Sequence, residues 1–116
     1  MTQLIERKKF ATVAVDDLSY QIFLTSPERD YIQSALATKG IPYELEMLRD
    51  LQSRLSKDST VLDIGANIGN HSFFLCNIVG WYVIAFEAND DLAHAMNITS
   101  SEAGLDEKII IHSFAL

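Results

Sequence analysis

One stretch of the chain constrains its fold most: a short apolar run followed by three turn-forming residues at intervals of two. Residues 61–64 are typical of a buried strand, and Gly65, Asn67 and Gly69 follow them. Gly65 permits a tight turn with positive φ, whereas Asn67 tolerates a left-handed conformation or caps a helix. Gly69 is expected in the first turn of that helix, where a missing side chain lets a ligand lie against the backbone. A strand, glycine loop and helix in this order predict a ligand site with free backbone N–H groups.

The acid at the end of the strand narrows the class of ligand. The loop runs Asp63-x-Gly65-x-Asn67-x-Gly69, which differs from the G-x-G-x-x-G order of dinucleotide-binding loops. The Asp63 carboxylate disfavours a pyrophosphate and favours a cation or a group of hydrogen-bond donors. S-adenosylmethionine fits this description, because it carries an amine and a sulfonium and no phosphate. The alternative is a strand-to-helix turn whose glycines serve only the backbone, and the loop alone does not decide between the two.

A second apolar run also ends in an acid, Glu87. This residue follows Gly65 by 22 positions, a spacing that places a carboxylate at the carboxyl end of the neighbouring strand in a βαβ unit. There it would accept hydrogen bonds from both hydroxyls of a ribose. The alternative is a charge at a helix end, where residues 89–91 already offer N-cap chemistry. Because Asp63 and Glu87 each follow a predicted strand at the spacing of a βαβ unit, the pattern favours a cofactor site over the alternatives.

Both motifs resemble those of class I S-adenosylmethionine-dependent methyltransferases. Asp-Ile-Gly-Ala-Asn-Ile-Gly at residues 63–69 resembles the FkbM family in particular, which accepts Asn67 at its usual middle glycine. The family often has a proline after the second acid, where this chain has Ala88. The resemblance covers residues 43–116 and, more weakly, the residues before them. It implies a methyltransferase that uses S-adenosylmethionine, with O-methylation of a sugar or another small metabolite as the reaction.

The resemblance also implies which residues contact the cofactor. Asp63 would hold the loop and the methionine amine, Glu87 would bind the ribose, and two residues after the third strand would contact adenine. The predicted cofactor-binding residues are Asp63, Gly65, Asn67, Gly69, Glu87, Ser113 and Phe114.

No catalytic residue and no metal site are assigned. His71 lies soon after the loop, but no acid or second histidine is placed in the sequence to orient it as a base, so it is interpreted as a partly exposed polar residue. Tyr43 and Glu44 resemble FkbM residues upstream of the loop. They would line the mouth of the pocket or, in the simpler interpretation, form the charged first turn of a helix. No His/Cys cluster indicates a metal.

The amino-terminal residues predict a hairpin and two helices. Residues 10–15 and 18–24 alternate apolar and polar residues, as an antiparallel hairpin does. Its apolar face would comprise Val13, Val15, Leu18, Tyr20 and Ile22. The first helix is expected to begin with Ser26 as N-cap, and the second to begin at Pro42.

From residue 60 onward, strands alternate with helices, which predicts a parallel sheet with the spatial order third, second, first. The helices are predicted at about 68–79 and 90–100. The third strand, 108–112, is rich in isoleucine and is therefore expected to be buried on both faces.

The fold class expected is α/β: a Rossmann-like class I methyltransferase fold that is truncated after its third parallel strand and is preceded by a β-hairpin and two helices. Residues 1–59 would pack as an amino-terminal segment on residues 60–116, the first half of the S-adenosylmethionine-binding domain. Together they would make a single domain.

Composition opposes several classes of function. The chain has 116 residues and a net charge of −7, which opposes nonspecific binding to nucleic acid or to an anionic membrane surface. The amino terminus lacks the apolar core of a secretory signal, and no apolar run approaches the length of a membrane span. The cytoplasm is therefore the expected compartment. The single cysteine, Cys76, is expected to be a small buried apolar residue.

Three functions remain open. The first is an FkbM-type methyltransferase with a small-molecule acceptor. The second is a nucleotide-cofactor (NAD-type) oxidoreductase domain, which the loop spacing and Asp63 oppose. The third is a non-catalytic fragment or association module, because the family's sheet continues through four more strands. Residues 61–64 would then form an edge with unpaired N–H and C=O groups, so self-association through this edge is expected.

Overall fold

The computed structural model describes residues 9–116, so the first eight residues of the predicted 1–59 segment lie outside it. Its elements form a two-stranded antiparallel sheet, β1–β2, and a three-stranded parallel sheet with the order β3–β4–β5. The predicted α/β class, the hairpin, the two helices and the strand order are confirmed. In chain order the elements are β1 (Phe10–Val15), β2 (Leu18–Phe23), α1 (Tyr31–Lys39), α2 (Leu45–Arg54), β3 (Thr60–Ile64), α3 (Asn70–Phe74, continued by a π-helical turn at Leu75–Val79), β4 (Tyr82–Phe86), α4 (Asp90–Ala103) and β5 (Ile109–His112).

The hairpin buries one apolar face, as its alternating pattern predicts. Val13 pairs with Tyr20, and both side chains are buried. Leu18 was expected on the same buried face, but it is exposed because it lies next to the turn. The two-residue turn forms without glycine, since Asp16 adopts a positive φ of 53°.

The hairpin is attached to helices and not to the edge of the parallel sheet. The N–H of Phe23 donates to Thr99 Oγ1 of α4 at 2.9 Å. The N–H of Ala14 donates at 2.8 Å to the carbonyl oxygen of Gly40, the residue that ends α1. Both ends of the hairpin are therefore anchored on α1 and α4.

The N-cap of helix α1 lies four residues later than predicted, because a different side chain caps the helix. Asp30, and not Ser26, is the N-cap, and its Oδ2 accepts the N–H of Gln33 at 2.9 Å. The buried Gln33 side chain in turn accepts the N–H groups of Thr25 and Ser26, at 2.8 and 2.7 Å. Ser26 therefore belongs to the turn before the helix, and the prediction that it is the N-cap is wrong.

The parallel sheet has one covered face and one open face. Val83 and Ile109 are paired on the covered face and almost fully buried beneath the helices. On the other face, Leu62 and Ile110 lie in one row across the sheet, and each is 55% exposed. The prediction that β3 and β5 are buried strands is therefore wrong for this face, which the described residues leave uncovered.

Cys76 is buried, as predicted. Burial raises the pKa of its thiol to about 12, and the charge of Lys108 opposes this only in part. Because the thiolate is the reactive form, we expect a disulfide reagent such as DTNB to react at least about 100-fold more slowly with the native chain than with the chain in urea. Equal rates in the two conditions would show that the thiol is accessible in the folded chain.

In the part of the chain that the structure describes, no helix combines the length and the apolar character needed to cross a membrane.

Candidate cofactor-binding site

The loop after β3 contains three left-handed backbone positions. The φ angle is 75° at Gly65, 58° at Asn67 and 93° at Gly69. Glycine adopts such angles freely and asparagine adopts them at low cost, which explains the residue types at this spacing. Asn67 also stabilises its own turn, since its Oδ1 accepts the N–H of Ile68 at 2.7 Å.

The two glycines of the loop serve different purposes. A Cβ on Gly65 would meet no heavy atom within 4 Å, so open space lies beside it. A Cβ on Gly69 would lie 2.4 Å from Phe73 Cε2 and 3.2 Å from Met96 Cε. Gly69 is the N-cap of α3, and the chain's own core fills the space beside it. The expectation that a ligand uses this space is therefore wrong for Gly69, whereas Gly65 leaves room for one.

The N–H groups of residues 65–69 donate to acceptors within the chain, so the prediction of free N–H groups is wrong for these residues. The bonds are from Gly65 and Ala66 to the carbonyl oxygen of Phe86 (2.8 and 3.0 Å), from Asn67 to Glu87 Oε1 (2.7 Å), from Ile68 to Asn67 Oδ1 (2.7 Å) and from Gly69 to the carbonyl oxygen of Ala66 (3.0 Å). An anionic phosphate needs free donors, and this loop has none to offer over these residues.

Glu87 joins the loop to the start of α4. Its Oε1 accepts the N–H of Asn67 at 2.7 Å, and its Oε2 accepts the N–H of Asn89 at 2.8 Å. Asn89 is the N-cap of α4, because its own Oδ1 accepts the N–H of Leu92 at 3.1 Å. Glu87 is therefore not the helix cap. An ionised carboxylate has about four lone-pair sites, so Glu87 keeps acceptor capacity, and ribose binding by it stays a prediction.

Asp63 is oriented by Ser72, a residue whose role the sequence did not predict. Its Oδ2 accepts the hydroxyl of Ser72 at 2.6 Å, and Ser72 is fully buried in α3. Asp63 thus holds the helix and not, as expected, the loop. It also lines a cavity of about 150 Å³ between α2, β3 and α3. Within the described residues no donor is recorded for its Oδ1, which leaves this oxygen for a ligand.

The first turn of α3 also holds the segment that precedes α2. Asn70 accepts the N–H of Tyr43 at 2.9 Å and donates to the carbonyl oxygen of Tyr43 at 2.8 Å. Next to it, His71 Nε2 lies 3.2 Å from Glu44 Oε1, across 27 residues of sequence. The statement that no acid orients His71 is therefore wrong. Glu44 is the N-cap residue of α2, with a φ of 61°, and does not belong to the first turn.

Aromatic rings cluster at the carboxyl ends of β4 and β5. Phe86 stacks on His112 at a centroid distance of 5.1 Å, and the exposed Phe114 lies 5.8 Å from Phe86. Ser113, which lies between His112 and Phe114 in the sequence, is exposed. Ser113 and Phe114 were predicted from the sequence, whereas Phe86 and His112 were not, because ring stacking depends on the strand register. Contact of Ser113 and Phe114 with adenine stays a prediction.

The charges near the loop are negative. The recorded ion pairs among residues 9–116 involve neither Asp63 nor Glu87, so no side-chain cation neutralises these carboxylates. No group of three or more His, Cys, Asp and Glu residues in the same range is arranged to hold a metal ion. The site therefore offers mainly hydrogen-bond acceptors and negative charge.

Comparison with known proteins identifies the fold. No family model and no curated protein matches the chain. Among solved structures, an S-adenosylmethionine-dependent methyltransferase from Agrobacterium tumefaciens has a TM-score of 0.55 at 13% identity, over 90% of this chain and 32% of that chain. TYW2 from P. horikoshii, in complex with MeSAdo, has a TM-score of 0.58 at 13% identity, over 92% and 36%.

A methyltransferase from Geobacter sulfurreducens in complex with S-adenosyl-L-homocysteine has a TM-score of 0.51 at 20% identity, over 61% of this chain and 30% of that chain. At these identities the likeness shows the fold, which is the Rossmann-like α/β fold of S-adenosylmethionine-dependent methyltransferases. The predicted fold class is confirmed. The chain spans about a third of the length of these solved chains.

Proposed function

We propose that the chain binds S-adenosylmethionine and forms the cofactor-binding part of a methyltransferase. The observation that carries this proposal is the polarity of the loop: its N–H groups are used within the chain, whereas Asp63 and Glu87 keep unused lone pairs. S-adenosylmethionine presents an ammonium group, a sulfonium and two ribose hydroxyls, and it carries one carboxylate but no phosphate. The two acids therefore complement its cations and hydroxyls, whereas the pyrophosphate of a dinucleotide would find no free donor on residues 65–69.

Each residue then has a defined task. Asp63 Oδ1 accepts a hydrogen bond from the ammonium group, and Glu87 accepts hydrogen bonds from the ribose hydroxyls. The open space at Gly65 lets the ligand lie close to the backbone. Phe86 and Phe114 offer ring faces for adenine. When bound, the cofactor supplies an activated methyl group. Its transfer requires an acceptor atom held in line with the methyl group within attack distance.

The finer assignment is FkbM type, with O-methylation of a sugar or another small metabolite in the cytoplasm. It rests on the resemblance of residues 63–69, while the acidic charge opposes nucleic acid and anionic membranes as partners.

Isothermal titration of the chain with S-adenosylhomocysteine tests the proposal. We expect weak but measurable binding, and weaker or no binding of NAD, because the loop offers a pyrophosphate no free donors. Tighter binding of NAD or of a nucleoside triphosphate than of S-adenosylhomocysteine would overturn the methyltransferase assignment and favour the oxidoreductase alternative.

Glu87→Gln should weaken the binding of S-adenosylhomocysteine at least about tenfold, since a hydrogen bond to a charged group contributes roughly 1.5–3 kcal/mol. Glutamine keeps one acceptor oxygen for the N–H of Asn67, so the loop is retained better than with alanine. Glu102→Gln makes the same chemical change on an exposed residue near the end of α4 and should leave the affinity unchanged. Equal affinities for the two variants would show that Glu87 only fastens the loop.

A further inference from the structure

His71 lies between a carboxylate and a cavity. Its Nε2 is 3.2 Å from Glu44 Oε1, and His71 is also one of the residues that line the cavity of about 150 Å³ beside Asp63. An ionised carboxylate only accepts hydrogen bonds, so the neutral imidazole carries its proton on Nε2. Nδ1 then keeps its lone pair and is the ring nitrogen left for a ligand.

The backbone holds Glu44 in place for this contact. Glu44 has a left-handed backbone, which is uncommon for glutamate, and its side chain makes no capping bond to α2. The preceding residue, Tyr43, is fastened by two hydrogen bonds to Asn70, whose side chain is buried. The arrangement therefore directs the Glu44 carboxylate to His71 instead of to the helix.

The cavity has apolar walls and a polar end. Its apolar lining residues are Met47, Leu48, Leu51, Val61, Leu62 and Leu75, and its polar ones are Asp63 and His71. A volume of about 150 Å³ accommodates a group the size of benzene. Glu44 from the start of α2 contacts His71, and Asp63 from β3 lines the same cavity, whereas Arg49 of α2 is paired with Asp16.

We propose that His71 is the proton acceptor for a methyl acceptor bound in this cavity, with Glu44 as its positioning residue. The inference rests on the proposed function and names the acceptor class: a small molecule that carries a hydroxyl on an apolar body. Such a molecule fits the apolar walls better than a sugar, whose several hydroxyls would lack partners there.

The proton and the charge balance in this step. The acceptor oxygen uses an electron pair to form its bond to the methyl carbon, and the bond from that carbon to sulfur breaks with its pair on sulfur. The O–H bond of the acceptor breaks, and its proton passes to Nδ1 of His71. The positive charge lost from sulfur appears on the imidazolium, next to the Glu44 carboxylate.

The position of the proton on the His71 ring can be measured without an activity assay. Nitrogen NMR of the chain at mildly alkaline pH should show His71 with its proton on Nε2. Glu44→Gly removes the carboxylate while suiting the left-handed backbone, and it should produce a mixture of the two tautomers. A proton on Nδ1 in the wild-type chain, or an unchanged tautomer in Glu44→Gly, would overturn the inference.

Binding separates this inference from the proposed function. His71→Gln should bind S-adenosylhomocysteine within about twofold of the wild-type chain, because general-base catalysis and cofactor binding are different tasks. A loss of binding as large as that of Glu87→Gln would make His71 a cofactor ligand and refute its role as base. If the wild-type chain binds no S-adenosylhomocysteine at all, the proposed function itself fails.

Phenol, a hydroxyl on a six-carbon ring, is the matched acceptor probe, and glucose is the comparison. We expect transfer of labelled methyl from S-adenosylmethionine to phenol in preference to glucose, and a rate at least about 100-fold lower in His71→Gln. His94→Gln, a change at an exposed histidine of α4, should leave the rate unchanged. A wild-type chain that binds S-adenosylhomocysteine but methylates glucose and not phenol, or neither, would overturn the inference.

Discussion

Gly69→Ala is expected to destabilise the chain by about 3 kcal/mol, because an overpacked contact and a strained backbone add at one position. The new Cβ would lie 2.4 Å from the ring of Phe73 and 3.2 Å from Met96 Cε. Both side chains are fully buried, so neither moves aside without disturbing the core. The φ of 93° adds the cost of a left-handed angle for alanine. Urea denaturation measures the loss, which is a large fraction of the stability of a small domain.

Gly65→Ala is the matched control, since it carries the same change at a similar φ of 75° but in open space. It should cost only the backbone strain, about 1–2 kcal/mol. Its methyl group would occupy the space that we assign to the ligand, so it should weaken the binding of S-adenosylhomocysteine more than it weakens folding. If the two variants lost equal stability, the packing account of Gly69 would be incorrect.

The different purposes of these two glycines illustrate what the sequence predicts. Positive φ is a local property of the chain, and a glycine or asparagine at every second position signals it directly. The atoms that lie beside each glycine are set by tertiary packing, through Phe73 and Met96. The loop was therefore located from the sequence, but the reason for Gly69 and the internal use of the loop N–H groups were not.

Contacts across long stretches of sequence account for most of the other differences. Glu44 meets His71 across 27 residues, and no periodic pattern links the two. The hydrogen bond between Ser72 and Asp63 had only a weak signal in the sequence: Ser72 is a polar residue on the buried side of α3. At the start of α1, Ser26 and Asp30 are both residue types that often serve as N-caps. The buried Gln33 side chain accepts the N–H of Ser26, which holds Ser26 in the preceding turn, and the N–H of Gln33 donates to Asp30.

The burial of the strands could not be predicted from composition. An isoleucine-rich run predicts a strand covered on both faces, and β5 is covered on one only, since Ile110 remains exposed while Ile109 is buried. Which face is covered depends on where the helices pack. The exposed apolar side chains on this uncovered face also favour association between copies of the chain.

We expect the chain to self-associate through the edge of β3. Among the described residues this strand is hydrogen-bonded to β4 alone, so its other side presents unpaired N–H and C=O groups. Leu62 and Ile64 on this strand are 55% and 61% exposed, and the hairpin packs elsewhere. An apolar strand with one free side is a template for pairing with a second copy. Light scattering across a dilution series should therefore show a dimer or a larger species.

Leu62→Lys should shift this equilibrium toward monomer by at least about tenfold, because a lysine on an edge strand opposes pairing and a symmetric interface carries the change twice. Leu18→Lys is the matched control: Leu18 is exposed to a similar extent, 53%, but lies at the tip of the hairpin. It should leave the association unchanged. A wild-type chain that stays monomeric at high concentration, with slowly exchanging amides at residues 61–64, would show that the chain covers its own edge and that β3 is not an interface.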